Sequence, residues 1–350
     1  MATLTNLISV AESLNKEELQ ALSSRILALL NRPASEASPT KCECCRRCES
    51  KQIVKYGKDK NGKQRYKCKS CNTVFYEDSF STVSRSRHNT ETWKKFIDLL
   101  LMRASLKKCA AVCGISIQTA FTWRHKILNA LQYDQEGRVL GGVVEADETF
   151  FSISYKGNHA KSKNFTMPRQ AYKRGTDNRS SKAPKVCVMC AIERMGQSYG
   201  EVLGAGQPTV KMISHAFEDR VAPESIVLSD RALAMKSFFE KKDDITLIRL
   251  KSSVTGRQGR HDGGKPEVRG SFHIQNINNM HYRFRKALEP YCGVSTKYLN
   301  HYLNLFIWIE NHKNIPNVNL HRELCASLNQ KGHYTTLRNI TSLPAIPVVA

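Results

Sequence analysis

The sequence predicts an α/β domain carried behind a small metal ribbon and a helical unit, and three observations predict it. Two Cys-x-x-Cys pairs stand near the front of the chain, CRRC at Cys45–Cys48 and CKSC at Cys68–Cys71. A helical apolar pattern interrupted by a single glycine follows over 87–133. From Gly141 to about Leu324, strand-like apolar runs alternate with helical ones, which fits a sheet covered by helices better than a second bundle. The domain limits read this way are 1–32 for an N-terminal helical segment, 40–78 for the ribbon, 87–133 for the helical unit, 141–324 for the α/β domain and 325–350 for a C-terminal tail.

A chain of 350 residues and 39.6 kDa has room for about two domains with their own cores. With 41% hydrophobic and 24% charged residues it reads as globular, and no apolar run approaches the ~18 residues of a membrane span. The opening MATLTNLISVAESLNKEELQ lacks a basic stretch ahead of a long apolar core, so no secretory signal is expected. The expected compartment is the cytoplasm, in association with the nucleoid. The net charge of +23 favours a polyanionic partner. Lys41–Lys69 carries 11 basic against 3 acidic residues and Lys156–Lys182 carries 8 against 1, which suggests two separate contacts.

Taken in order, Leu4–Leu30 repeats apolar residues at helical spacing until Pro33, and NRPASEASPT reads as a linker. Six of the 12 cysteines then fall within 30 residues. In a reducing compartment such a cluster argues for metal over disulfides. Cys45, Cys48, Cys68 and Cys71, separated by a hairpin-sized insert, predict a structural Zn²⁺ ribbon. Cys42 stands three residues before Cys45, so the first pair could equally be Cys42 with Cys45.

Trp93, Phe96, Leu99, Leu100 and Met102 form the apolar pattern that opens the helical unit. SLKKCAAVCGISIQTAFTWRHKIL then supplies a short helix, a turn at Gly114 and a second helix beginning near Ser116, the order of a helix-turn-helix. Gln118, Thr119, Thr122, Arg124 and His125 are expected on the exposed side, where a recognition helix meets base edges and phosphates, with Trp123 facing inward.

In the α/β segment, GGVVEADETFF, KVCVMCAIER, YGEVLG and ESIVLSD read as strands and Val210–Phe217 as a helix. Cys187 and Cys190 lie inside a strand with no second pair nearby and read as core. Asp147 and Asp230 each follow a hydrophobic strand, where adjacent strands could bring their carboxylates to one divalent site. Oxygen-only ligation suits Mg²⁺ or Mn²⁺, and two such ions can promote in-line attack at phosphorus. An Asp at a strand end is also a common helix cap or turn residue. By strand alternation Glu145 falls beside Asp147, as a second-tier ligand, and Glu148 falls on the other face.

At this point the chain resembles the ISXO2-like insertion-sequence transposases. GKQRYKCKSCNTVF, WRHKIL, ADETFF, the LSD strand, HIQNINNMHYRFRK and STKYLNHYLNLFIWIEN carry the resemblance, in that order, over approximately Lys41–Asn311. It implies an RNase H-like catalytic domain of the DDE type behind a zinc ribbon and a helix-turn-helix domain that binds terminal inverted repeats. Asp147 matches the family's first catalytic aspartate and Asp230 its second. The third position falls on Asn278, where many relatives carry Glu, with Arg285 seven residues later. An amide oxygen can ligate Mg²⁺ without contributing charge, and Asn278 could alternatively be a helix-starting cap. Arg283, Arg285 and Lys286, beside Tyr282, would suit phosphate contacts.

The expected function is therefore metal-dependent cleavage and transfer of double-stranded DNA at element ends into target DNA. Handling two ends predicts a homo-oligomer. Two alternatives stand beside it. One is a transposase-derived sequence-specific DNA-binding protein without strand transfer, which the Asn at 278 favours. The other is a zinc-ribbon RNA-processing factor, which explains the charge but not the spaced carboxylates.

Overall fold

The computed structural model describes residues 43–45, 47–60, 62, 64–76, 79, 81–84, 86–157, 185–194, 196–250, 267–328 and 335–347. The expected N-terminal helix, Cys42 and positions 158–182 of the second basic stretch lie outside them. Two compact units divide the chain at Glu77.

The first unit is a three-stranded antiparallel sheet, β1 (Ile53–Lys58), β2 (Gln64–Cys68) and β3 (Val74–Phe75), in that order. Its core consists of Cys45, Cys68 and Phe75, with Ile53, Tyr66 and Cys71 packed against them. So little apolar material cannot hold a fold in water without a further link.

The second unit opens with α1 (Thr90–Leu101), α2 (Leu106–Cys113) and α3 (Ile117–Ala130). Each starts where a short polar side chain accepts a backbone N–H of its first turn: Asn89 from Thr92, Ser105 from Lys108, Ser116 from Thr119. Gly114 ends α2 in the left-handed region at φ 63°, where a side chain would be strained. Trp93 stacks on Trp123 at 3.7 Å and Phe96 meets the same indole edge-on. Met102, expected in this core, is instead 76% exposed just past the end of α1.

A five-stranded mixed sheet follows: β4 (Val143–Ser152), β5 (Lys185–Glu193), β6 (Ser198–Ala205), β7 (Ile226–Ser229) and β8 (Thr246–Arg249). The spatial order is β6-β5-β4-β7-β8. β4, β5 and β6 pair antiparallel, while β7 lies parallel to β4 and β8 parallel to β7. α4 (Val210–Phe217) and α5 (Leu233–Phe239) cover one face, where Val144, Ala146 and Met189 are buried. α6 (Gln275–Leu288) and α7 (Leu299–Asn311) cover the other, over Val188, Cys190 and Leu228. Cys187 and Cys190 are buried on opposite faces of β5, in the core role expected of them.

α7 is buried nearly all round, as its continuous apolar run requires. Leu303, Phe306 and Ile307 face the sheet, whereas Tyr302, Leu305 and Trp308 complete the core of α1–α3. Gly200 on β6 permits the close approach, since a Cβ there would stand 3.1 Å from Ile307 Cδ1. The outer edge of β6 is covered by amides. Asn311 Oδ1 accepts from Ser198 N–H at 2.7 Å, Asn300 Oδ1 from Val202 N–H at 3.1 Å and Gln135 Oε1 from Gly200 N–H at 3.0 Å. α8 (Asn317–Leu328) crosses the position at which a tail was expected to begin, and Leu324 and Leu328 join the helical core; α9 (Leu337–Ser342) follows. Among the described residues no helix is long and apolar enough to cross a membrane.

Candidate active site and structural metal centre

β4 pairs with β7 over Val143–Glu145 against Ile226–Leu228. Carrying the same offset two residues further sets Asp147 beside Asp230, just past the end of β7. Beyond that point, among the described residues, β4 is paired with β5 alone and its side toward β7 carries no strand. The opening lets neighbouring residues from opposite faces of β4 turn to the same place. Carboxylate oxygens of Asp147, Glu148 and Asp230 all lie within 4.8 Å of one another. Glu148 thus belongs to the cluster, contrary to the alternation that placed it on the far face, because the strand has lost one neighbour where the acids stand.

Burial pushes the Asp147 carboxyl well above its ordinary range, and the charges of Asp230 and Glu148 push it further. Glu148 is raised to about 7, first by burial and then by Asp230. Its Oε2 is buried with no hydrogen-bond partner. Asp230 Oδ1 accepts the Ala232 N–H at 2.8 Å, so this Asp also serves the turn into α5. Three crowded carboxylates, one with an orphaned buried oxygen, fit a hard divalent cation such as Mg²⁺ or Mn²⁺. Glu148 and Asp230 border an open cleft of about 450 Å³ shared with Gln207, Pro208, Arg231 and Leu233.

Asn278 stands exposed on the first turn of α6, and its side chain makes no hydrogen bond among the described residues. One turn later His281 is buried with Nδ1 3.8 Å from Asp147 Oδ2. Burial, then the Arg285 charge, lowers it to about 4. Sequence reasoning passed over His281; its three-residue spacing from Asn278 was the available signal. Glu145, expected as a second-tier ligand, is fully buried and has both oxygens engaged by Arg194, Asn276 and Ile277.

In the ribbon unit the four thiols converge as the spacing predicted. Cys45 Sγ and Cys71 Sγ are 3.6 Å apart, as are Cys48 Sγ and Cys68 Sγ. Tetrahedral Zn²⁺ with bonds of ≈ 2.3 Å needs sulfur separations of about 3.8 Å. The Cys45–Cys48 register is therefore the one formed by the described residues. Hydrogen bonds from Thr73 bring the Cys71 thiol down to about 6, toward the thiolate a metal requires.

Two expected DNA contacts are corrected. Arg124 and His125 are each 2% exposed. Arg124 donates to Ala104 O and Cys109 Sγ and lies over the Tyr291 ring, while His125 Nδ1 meets His301 Nδ1 at 2.9 Å. α7 packs on that side of α3, a neighbour far away in sequence that the pattern of α3 alone could not reveal. Trp123 is buried as expected. Gln118, Thr119, Thr122 and Lys126 instead line a shallow groove of about 290 Å³ with Arg87 and His88. On α6, Arg283 grips Glu310 with Nε and Nη2 at 3.1 and 2.8 Å, Arg285 donates to Thr149 Oγ1 and Phe150 O, and Lys286 pairs with Glu289.

Residues 139–311 match the ISXO2-like transposase domain. An uncharacterized protein in transposable element ISH50 of Halobacterium salinarum is 24% identical over 263 residues, spanning 75% of this chain and 83% of that protein. Among solved structures, the Mos1 strand transfer complex aligns over 73% of this chain and 83% of the other at 14% identity and a TM-score of 0.20. The mariner Mos1 paired end complex with Mg aligns over 71% and 83% at 13% identity and a TM-score of 0.21.

Proposed function

The chain belongs to the ISXO2-like transposases through its segment 139–311, and on that footing we propose that it cleaves and transfers DNA at the terminal repeats of an insertion sequence. The convergence of Asp147, Glu148 and Asp230, two of which, Glu148 and Asp230, line an open cleft, carries this reading. Bound there, Mg²⁺ or Mn²⁺ supplies Lewis-acid stabilisation at phosphate and a more acidic water or 3′-hydroxyl. The protein supplies the charge that holds it: Asp147 from within β4, Asp230 from just past the end of β7, and Glu148 from the position after Asp147. His281 packs against Asp147 and restricts its carboxylate, as outer-shell groups do for metal ligands. Asn278 is the proposed neutral third ligand. The mixed sheet is then RNase H-like, and the four-thiol unit a zinc ribbon.

The helical unit is the proposed helix-turn-helix reader. Its face toward duplex DNA is the groove of Arg87, His88, Gln118, Thr119, Thr122 and Lys126, a polar surface along α3. Arg285 and Lys286, exposed on α6, serve the phosphates nearer the cleft. Because two ends must be joined to one target, the working form is a homo-oligomer.

The test is cleavage of DNA recovered from native DNA by its binding to the protein. Mg²⁺-dependent nicks at fixed positions, absent in Asp147→Asn, are expected. Specific binding without nicks would establish the alternative favoured by Asn278, a transposase-derived DNA-binding protein.

A further inference from the structure

Glu145 has the most completely occupied carboxylate near the cleft, and its partners explain why. It lies two residues before Asp147 on the same face of β4 and is fully buried. Its Oε1 accepts from Arg194 Nε at 3.0 Å and Asn276 Nδ2 at 2.8 Å. Its Oε2 accepts the backbone N–H groups of Asn276 and Ile277 at 3.0 and 3.1 Å. These are the second and third residues of α6, whose N-cap position, Ile274, has no side chain able to accept them. A strand residue far away in sequence thus caps the helix, in the place a Ser or Asp at position 274 would take. The negative carboxylate also meets the positive end of the helix dipole.

Arg194 extends the grip. Its Nη1 and Nη2 donate to Ser271 O at 2.6 Å and His273 O at 3.1 Å, fixing the segment that leads into α6. Further along, Arg285 of α6 bonds to Thr149 Oγ1 and to Phe150 O. β4 therefore holds α6 on both sides of Asp147.

We propose that Glu145 is a positioning residue for the reaction: by capping α6 from β4 it ties the helix that carries Asn278 and His281 to the strand that carries Asp147. With four donors on its two oxygens, it acts through the helix and not as a ligand. This inference rests on the reading of Asp147, Glu148 and Asp230 as the divalent site.

The full-length chain with Glu145→Gln tests it, beside Arg194→Lys and Asn276→Ala in case Glu145→Gln fails to fold. The amide of Gln removes the charge and meets two of the four donors with a donor of its own, so the cap is weakened at nearly constant volume. Amide exchange at Asn276 and Ile277 should quicken about tenfold. Mn²⁺ binding, followed by electron paramagnetic resonance without DNA, should weaken about 10-fold or more, with a parallel rise in the Mg²⁺ needed for half-maximal cleavage. Arg194→Lys and Asn276→Ala should show the same changes in smaller degree. Phe217→Leu, in the core on the opposite face, should lower stability without moving the Mn²⁺ affinity. Unchanged amide exchange and Mn²⁺ affinity in the folded variants would overturn the proposal, as would an equal loss of affinity in Phe217→Leu. Full cleavage by folded Asp147→Asn would instead overturn the reading of the site itself.

Discussion

The two acid or thiol clusters of this chain are built in opposite ways. The four cysteines come from two short turns within one small sheet, and two of them, Cys45 and Cys68, are the buried centre of its core. The carboxylates come from adjoining strands far apart in sequence, on a sheet with extensive cores on both faces, and Glu148 and Asp230 line an open cleft. In the first case metal replaces a missing core, so binding and folding are one event. In the second the fold stands by itself and holds like charges together at a cost. The ribbon should therefore depend on its metal for existence, and the cleft only for activity.

The largest expected effect follows from the first half of that contrast. Cys68→Ser should abolish one equivalent of Zn²⁺ and unfold residues 43–76, since structural zinc contributes about 10–16 kcal/mol in such modules. Metal analysis with exchange of the β1–β3 amides checks it, and the sheet from β4 to β8 should keep its protection. A full zinc equivalent in that variant would break the comparison from the ribbon side.

Next come Asp147→Asn and Asp230→Asn. Both should fold and bind DNA as the parent does, while cleavage falls about 10³-fold, roughly 4 kcal/mol of barrier. Single-turnover rates beside thermal melting decide it. A variant that lost both fold and activity would place the cleft in the same class as the ribbon.

Glu148→Gln should act more gently and should expose the stored repulsion. In the metal-free protein Glu148 ionises at about 7 instead of the ordinary 4.5. Its folded pKa is the higher one, so its contribution to stability is fully present below 4.5 and is lost as pH rises through about 7. Relative to the variant, the parent should lose melting temperature over that window, and Mg²⁺ should restore it. Parallel melting curves for the two proteins across the window would exclude the repulsion.

The smallest effect is expected in the helical unit. Lys126→Ala should reduce the salt slope of DNA binding by about 1 if it contacts one phosphate, with folding and cleft chemistry intact. Binding isotherms at several salt concentrations measure it.

What could be read from the sequence tracks the same contrast. The ribbon ligands were legible because their spacing is local. Asp147 and Asp230 were legible because each follows a short apolar run, VVEA or IVLS, although Asp147 lies inside β4 and not at its end. Glu148 was not, because alternation assumes a strand paired on both sides, and β4 has lost β7 where Glu148 stands. Arg124 and His125 were read as exposed because the partner that buries them, α7, lies more than 170 residues away. The short strand β8 and helices α8 and α9 escaped because their apolar patterns are brief and their partners distant. Glu145 was correctly placed beside Asp147, but its donors on α6 and Arg194 could be seen only once the sheet and helix were brought together.

The double burial of α7 bears on how such a protein can be divided and inherited. The family segment closes at Asn311 and opens at 139, so it includes α7 but not α1, α2 or α3. A fragment cut at those limits would bare Leu305 and the aromatic rings of Tyr302 and Trp308, the two rings alone offering up to about 150–250 Å² each. Together they would make a sticky patch of the size that drives self-association. Placing a different helical unit against this sheet thus requires more than a linker: the incoming helices must present a matching socket for α7.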